Sequence, residues 1–298
     1  MLSGELAAKN ASKPMTNTIF VGKVYLRFDE LPSTNDHARE LLAKSKPPEG
    51  TVIRAASQSA GRGQYGSRWV SEPGANLTLS VIFYPRFLPV AAQFRLSEAV
   101  ALAVRDTVDG GRWTVDRPPS TVHRPPSTVR RPPSTVHRPP STPEASGSTV
   151  QIKWPNDIYI SGRKTAGILI QNSLSGNYLQ SSVVGIGLNV NQLQFPESAP
   201  NATSLALATG APFDLEAVAE TILVQIERRY LQLKSGAVAV LRDEYHEHLL
   251  GRGEERQFID KHGRSLTGTI QGVSDDGRLI LHTAGGPAFF AVKEIQML

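Results

Sequence analysis

A glycine-rich stretch, Gly61-Arg62-Gly63-Gln64-Tyr65-Gly66-Ser67-Arg68-Trp69, lies between two apolar runs that both read as strands. Its first six residues fit the dinucleotide pattern G-x-G-x-x-G, but that pattern requires the glycines to open a helix. Here Ser71-Glu72-Pro73-Gly74 follows, and then the apolar run Asn76 to Tyr84. The match is therefore rejected. The physical content of the loop survives: glycines let backbone amides approach an anion closely, and Arg62 and Arg68 add fixed charge and planar donors. On these residues alone, an anion-binding loop and a plain glycine hairpin with solvated arginines fit equally. Trp69 by itself reads better as a packing residue than as a base-stacking one.

A second stretch has the same character. Lys153-Trp154-Pro155-Asn156-Asp157 ends a strand abruptly, since Pro155 stops the ladder and Asn156 and Asp157 favour a turn. Lys164 then begins the next strand, followed by the small residues Thr165-Ala166-Gly167. Gly167 leaves room for a ligand against that strand. A lysine at a strand start suits an α-phosphate or a carboxylate. Lys164 taken alone reads better as a surface lysine on a hairpin. Asn189, closing the apolar run Val183 to Asn189, suits either a phosphate or adenine contact or a turn cap.

Between these landmarks the pattern alternates strand and helix. Val24 to Phe28, Thr51 to Ala56 and Asn76 to Tyr84 read as strands. Ser33 or Thr34 caps a helix to about Lys44. Gln93 to Val108 carries helical apolar spacing, and Asp214 caps a strong helix ending near Gly236. A shorter helix spans roughly Ala239 to Leu249. His246 and His248 are read as surface residues on opposite sides of it. The last fifty residues turn to short strands punctuated by Asp275-Asp276-Gly277, which predicts a small barrel-like domain with a boundary near residue 250. The expected organisation is a loose tail over 1–17, a catalytic domain over 18–250 and a C-terminal barrel over 251–298.

Residues 117–143 repeat Arg-Pro-Pro-Ser-Thr-Val with period seven from Arg117, Arg124, Arg131 and Arg138. Paired prolines forbid a helix, so the repeat is read as a disordered, polyproline-like insertion in a surface loop. A ligand for SH3- or WW-type modules is the other reading. The repeat also holds five arginines and no acids in a chain of net charge +5, so the remainder sums to about zero. A basic nucleic-acid face is therefore not implied. The chain has no cysteine, which excludes disulfides, thiol nucleophiles and thiolate metal sites. No stretch reads as a signal peptide or membrane span, which fits the cytoplasm.

Taken together, Ser33-Thr34-Asn35 at a helix start, Gln58 before Gly61-Arg62-Gly63, Trp69, Lys153 to Asp157, Arg163-Lys164 before Gly167 and Gly185-x-Gly187-x-Asn189 resemble the biotin–protein ligase family in identity and order. The resemblance implies an α+β fold. A mixed central β-sheet flanked by helices would form a class II synthetase-like catalytic domain, with an SH3-like C-terminal β-barrel. It implies ATP and biotin as substrates with Mg²⁺, and a biotinyl-5′-adenylate that acylates a lysine of a biotin carboxyl carrier protein. Ser33, Thr34, Asn35, Gln58, Gly61, Arg62, Gly63, Gln64, Lys164 and Gly167 would form the biotin side. Arg68, Trp69, Asn156, Lys164 and Asn189 would form the ATP side. Lys164 and Arg62 would be catalytic, and Asp157 is taken as the base for the acceptor lysine; no protein metal ligand is expected.

Two departures carry expectations. Gln64 stands where well-known members have an arginine that helps retain the adenylate, so weaker retention is expected unless Arg68 compensates. About twenty residues precede the first strand, too few for the DNA-binding domain of repressor members, so no repressor role and no DNA partner are expected. Nor is a membrane partner. Family members often form homodimers through a sheet edge. The rival readings are a lipoate–protein ligase and a non-catalytic binder of biotin or a carrier protein.

Overall fold

The computed structural model describes residues 17–110 and 149–298. The repeat at 117–143 and the tail before residue 17 lie outside the described residues. The chain runs through β1 (Tyr25–Leu31), α1 (Thr34–Lys44), β2 (Val52–Gln58), β3 (Leu77–Phe83), α2 (Phe94–Gly110), β4 (Val150–Lys153), β5 (Asp157–Ile160), β6 (Arg163–Ser175), β7 (Tyr178–Leu188), α3 (Leu205–Thr209), α4 (Leu215–Lys234) and α5 (Val238–Glu247). It ends with β8 (Glu255–Asp260), β9 (Ser265–Val273), β10 (Leu279–Thr283), β11 (Gly286–Phe290) and β12 (Ile295–Met297).

The first seven strands form one mixed sheet in the order β1-β2-β3-β7-β6-β5-β4, with β1 and β2 parallel and every other pair antiparallel. The last five form an antiparallel sheet ordered β11-β10-β9-β8-β12. This is the α+β architecture expected from the sequence.

Period-two alternation in β3 shows how the layers are built. Leu77, Leu79, Val81 and Phe83 face a core shared with Leu96, Val100 and Val104 of α2 and Ile222 and Ile226 of α4. Ile82 faces the other way, where Phe28, Leu31, Ala38, Ile53, Ala55 and Val183 pack beneath α1. Each such fully buried side chain contributes about 1.5–3 kcal/mol. Thr78 and Ser80 share the α1 side of β3 and are equally buried, so polar groups are sealed under α1.

The helix caps follow the sequence. The Ser33 side chain accepts the Asp36 N–H at the start of α1, and Asp214 accepts the Glu216 N–H at the start of α4. Other elements differ from the sequence reading. A separate strand β5 begins at Asp157, where a turn was expected, and α3 and β12 were not foreseen. β7 starts at Tyr178 rather than Val183, because its polar first turn of ladder pairs with an equally polar end of β6.

His246 also departs from the surface reading. Its Nε2 accepts the Val273 N–H at 3.0 Å, and burial pushes the imidazole below its ordinary pKa, with Arg252 adding to the effect. The cover comes from the C-terminal sheet, which helical periodicity does not reveal. The same junction holds the Arg95–Asp275 ion pair and a Trp154 Nε1–H bond to the Gly277 carbonyl at 3.0 Å.

Candidate active site

A cleft of about 170 Å³ opens where the α1 N-terminus, the glycine loop and the middle of β6 and β7 converge. Strand ends and one helix start supply its polar groups. Ser33, Thr34, Asn35 and Gln58 line one end; Asn156, Asp157 and Lys164 line the other; Arg62, Gly63, Gln64, Arg68 and Trp69 form the wall above, and Gly167 part of the floor. Ser67, Pro155, Ile168, Leu169, Gly185, Ile186 and Gly187 also line it. The sequence reading had not singled these out as site residues, though the flanking motifs mark their positions.

The glycine loop is a small hairpin. Trp69 N–H donates to the Gly61 carbonyl at 3.0 Å and Gly63 N–H to the Ser67 carbonyl at 2.7 Å, with a 3₁₀ turn over Gln64–Gly66 at the tip. A Cβ on Gly61 would stand 2.4 Å from the Trp69 carbonyl oxygen, so only glycine lets the two arms close this tightly. Gly61 therefore shapes the hairpin from outside the cleft lining. Arg62 reaches back to α1, its Nε 2.9 Å from Asp36. Arg68 is exposed and makes a long 3.4 Å bond to the Ser59 carbonyl.

Trp69 is not part of the apolar core. Its indole lies flat on the sheet over Gly167 and Gly187, which face each other across the β6–β7 ladder. A Cβ at Gly187 would come within 2.3 Å of the ring and one at Gly167 within 3.1 Å. The indole N–H is buried and has no acceptor among the described residues. A buried unpaired donor costs about 1–3 kcal/mol.

Lys164 Nζ lies 2.6 Å from Asp157 Oδ2 and 6.0 Å from the centre of the Trp69 ring. The backbone N–H of Lys164 donates to the Asn201 carbonyl and its carbonyl accepts from Thr203, so β6 is fixed at this point. Lys153, across the β4–β5 pair from Asp157, has its ammonium pKa lowered by burial; Asp157 opposes the shift and Lys164 adds to it. Tyr159 is pushed up to about 12 by burial and by Asp157. The cleft thus holds cations and one carboxylate close together in a partly desolvated setting, which strengthens every charge interaction there.

Two polar residues are committed to the scaffold. Asn156 lines the cleft, is buried and donates its amide to the Ile168 carbonyl. Asn189 is buried just past the end of β7 and outside the lining; its amide donates to the Thr203 carbonyl at 3.0 Å. Among the described residues no group of three His, Asp or Glu side chains could hold a metal ion.

Comparison with known proteins agrees with this arrangement. Residues 27–189 match the Biotin/lipoate A/B protein ligase family, and residues 257–297 match the Biotin protein ligase C terminal domain. The chain is 31% identical over 276 residues to the bifunctional ligase/repressor BirA of Bacillus subtilis, covering 90% of this chain and 72% of that protein. It is 30% identical over 272 residues to the biotin–[acetyl-CoA-carboxylase] ligase of Mycobacterium tuberculosis, covering 90% and 87%. The biotin protein ligase of Aquifex aeolicus, solved in complex with biotin and ATP, shares the fold with a TM-score of 0.66 at 23% identity, over 92% of this chain and 98% of that one. No helix among the described residues is long and apolar enough to cross a membrane. The chain belongs to the biotin/lipoate A/B protein ligase family and is a biotin–protein ligase within it.

Proposed function

We propose that this chain condenses biotin with ATP to biotinyl-5′-AMP and pyrophosphate, then transfers biotin to one lysine of a biotin carboxyl carrier protein. The observation that carries this reading is one cleft holding Lys164 beside Asp157 at one end and the hydroxyls of Ser33 and Thr34 at the other. Ser33, Thr34, Asn35, Gln58, Gly63 and Gln64 would take the biotin head group, with Gly61 shaping the loop and Gly167 the floor. Arg68, Trp69, Asn156 and Asn189 would form the nucleotide side.

The first step brings two anions together. Biotin's carboxylate is already ionised at neutral pH, so the step needs no general base. It needs charge neutralisation and alignment. Lys164 would exchange part of its pairing with Asp157 for the carboxylate and α-phosphate, and Arg62 would add charge from the loop. Mg²⁺ accompanies ATP and would be held by the phosphates, water and at most Asp157, since the described residues offer no protein cage. When bound, it would supply neutralisation of phosphate charge.

The second step needs a neutral amine on the acceptor. Asp157, released from Lys164 as that cation engages the phosphate, would take the proton from the carrier lysine. Asp157→Asn should therefore slow transfer from preformed adenylate by roughly 10²-fold or more. Single-turnover transfer at the wild-type rate would remove Asp157 from this role.

Gln64 offers hydrogen bonds but no charge at the hairpin tip, so the adenylate should escape faster than from a Gln64→Arg variant. A charge-assisted bond is worth about 1.5–3 kcal/mol, which sets the scale. Equal release rates in a pulse–chase would dispose of this expectation.

We assign ligation to this chain. A homodimer through the sheet is compatible with β6, whose outer side carries no strand beyond Gly167 among the described residues. The lipoate reading separates from the biotin reading in one assay, pyrophosphate release with each acid in turn. Release with biotin and not with lipoate is expected; the reverse would move the chain to the lipoate branch.

A further inference from the structure

Thr34, at the head-group end of the cleft, belongs to a hydrogen-bond chain that continues below the cleft floor. Ser80, on β3 and fully buried, places its Oγ 2.8 Å from Thr34 Oγ1 and 2.7 Å from Asn35 Oδ1. The Asn35 amide nitrogen spends its two protons on the Leu169 carbonyl and Gln171 Oε1, which fixes its oxygen toward Ser80. Gly185 leaves the space for that oxygen: a Cβ there would stand 2.1 Å from it.

Proton counting then settles the direction of each bond. Asn35 Oδ1 can only accept, so Ser80 must donate its single proton to it. The 2.8 Å contact between Ser80 and Thr34 would otherwise set two oxygen lone pairs against each other, so the Thr34 O–H must donate to Ser80. Gln58 Oε1 is already served by the Thr34 backbone N–H at 2.8 Å and lies farther, 3.2 Å, from Thr34 Oγ1. What Thr34 offers a ligand is lone pairs alone. Ser33 has the opposite character: its Oγ accepts the Asp36 N–H, and its own proton has no acceptor among the described residues.

We propose that Ser80, its own proton committed to Asn35, is a positioning residue that locks the Thr34 hydroxyl as an acceptor and thereby selects a ligand presenting an N–H donor beside a carbonyl acceptor. This rests on the biotin reading above, and names what that site recognises: one N–H and the C=O of a cyclic urea. A dithiolane ring offers neither group. A site built around a committed acceptor also rejects a near-isostere carrying an acceptor in place of the N–H, because two lone-pair sets then face each other in a buried pocket.

The test is direct binding by calorimetry without ATP. Biotin is compared with two cyclic-carbamate analogues, each with a ring oxygen replacing one ureido N–H. The wild-type protein should bind biotin and disfavour one of the two carbamates by roughly tenfold or more. In Ser80→Ala the Thr34 O–H loses its nearer acceptor and can turn to donate to a ligand, with Gln58 Oε1 at 3.2 Å the only competing acceptor among the described residues. Biotin affinity should fall roughly five- to tenfold, while the preference over that carbamate shrinks toward unity. Ser80→Cys, close in volume and a weak donor, should move both quantities the same way by less, and it answers the question if Ser80→Ala fails to fold. A preference unchanged in the variant, or no preference in the wild type, overturns the proposal. No biotin binding by the wild type overturns the underlying biotin reading itself.

Discussion

Lys164→Ala should reduce adenylate formation by roughly 10² to 10³-fold, the usual cost of removing one preorganised charge from a site where negative charge is brought together. The variant does more than delete a cation. It leaves Asp157 without the partner now 2.6 Å away, so the carboxylate would face the biotin carboxylate and the α-phosphate unscreened. Lys164→Arg should restore little, since a planar fork does not replace a point charge on a flexible stem. The fold should persist, because the backbone groups of Lys164 bond to Asn201 and Thr203 whatever the side chain. Biotin-dependent pyrophosphate release checks the rate and thermal unfolding checks the fold. A variant that keeps near-native activity would remove Lys164 from the chemistry.

The second large effect is expected from the floor of the cleft. Gly187→Val must displace the Trp69 indole, since even its Cβ would fall 2.3 Å from the ring. Overpacking of this kind costs about 1–3 kcal/mol, which is roughly five- to 150-fold if expressed in affinity. On the assignment of Trp69 to the nucleotide side, the loss should appear mainly in KM for ATP. Gly167→Ala should be milder, because its Cβ would meet the ring at 3.1 Å, where a small shift of the indole relieves the contact. Steady-state kinetics with biotin saturating measures both. An unchanged KM for ATP in Gly187→Val would mean that the indole does not border the nucleotide.

The motifs were legible because each combines a backbone requirement with a charge. Gly61 and Gly63 mark a tight hairpin, Pro155 ends a ladder, and Lys164 opens the strand that follows. Helix caps at Ser33 and Asp214 were legible for the same reason, a side-chain acceptor placed before an apolar periodicity. Strand β5 was not, because four residues between two turn signals carry too little periodicity to register. The role of Ser80 was hidden in an apolar run, although Thr78 and Ser80 alternate with Leu77, Leu79 and Val81 in the period-two pattern of a face that is buried and polar. That alternation is the available signal. Its partners Thr34 and Asn35 lie 46 and 45 residues away in the chain, and only the folded sheet brings them together. His246 was misjudged for a related reason: a helix reports its own packing stripe, not the separate sheet that later covers it.

The central claim is transfer of biotin to a carrier lysine through an adenylate formed beside Lys164. The most direct measurement is the intact mass of a biotin carboxyl carrier domain after incubation with this chain, ATP, Mg²⁺ and biotin, followed by mapping of the modified residue. One added biotinyl group on one lysine, absent with Lys164→Ala, is the predicted result. An unmodified carrier that becomes lipoylated when lipoate replaces biotin would contradict it.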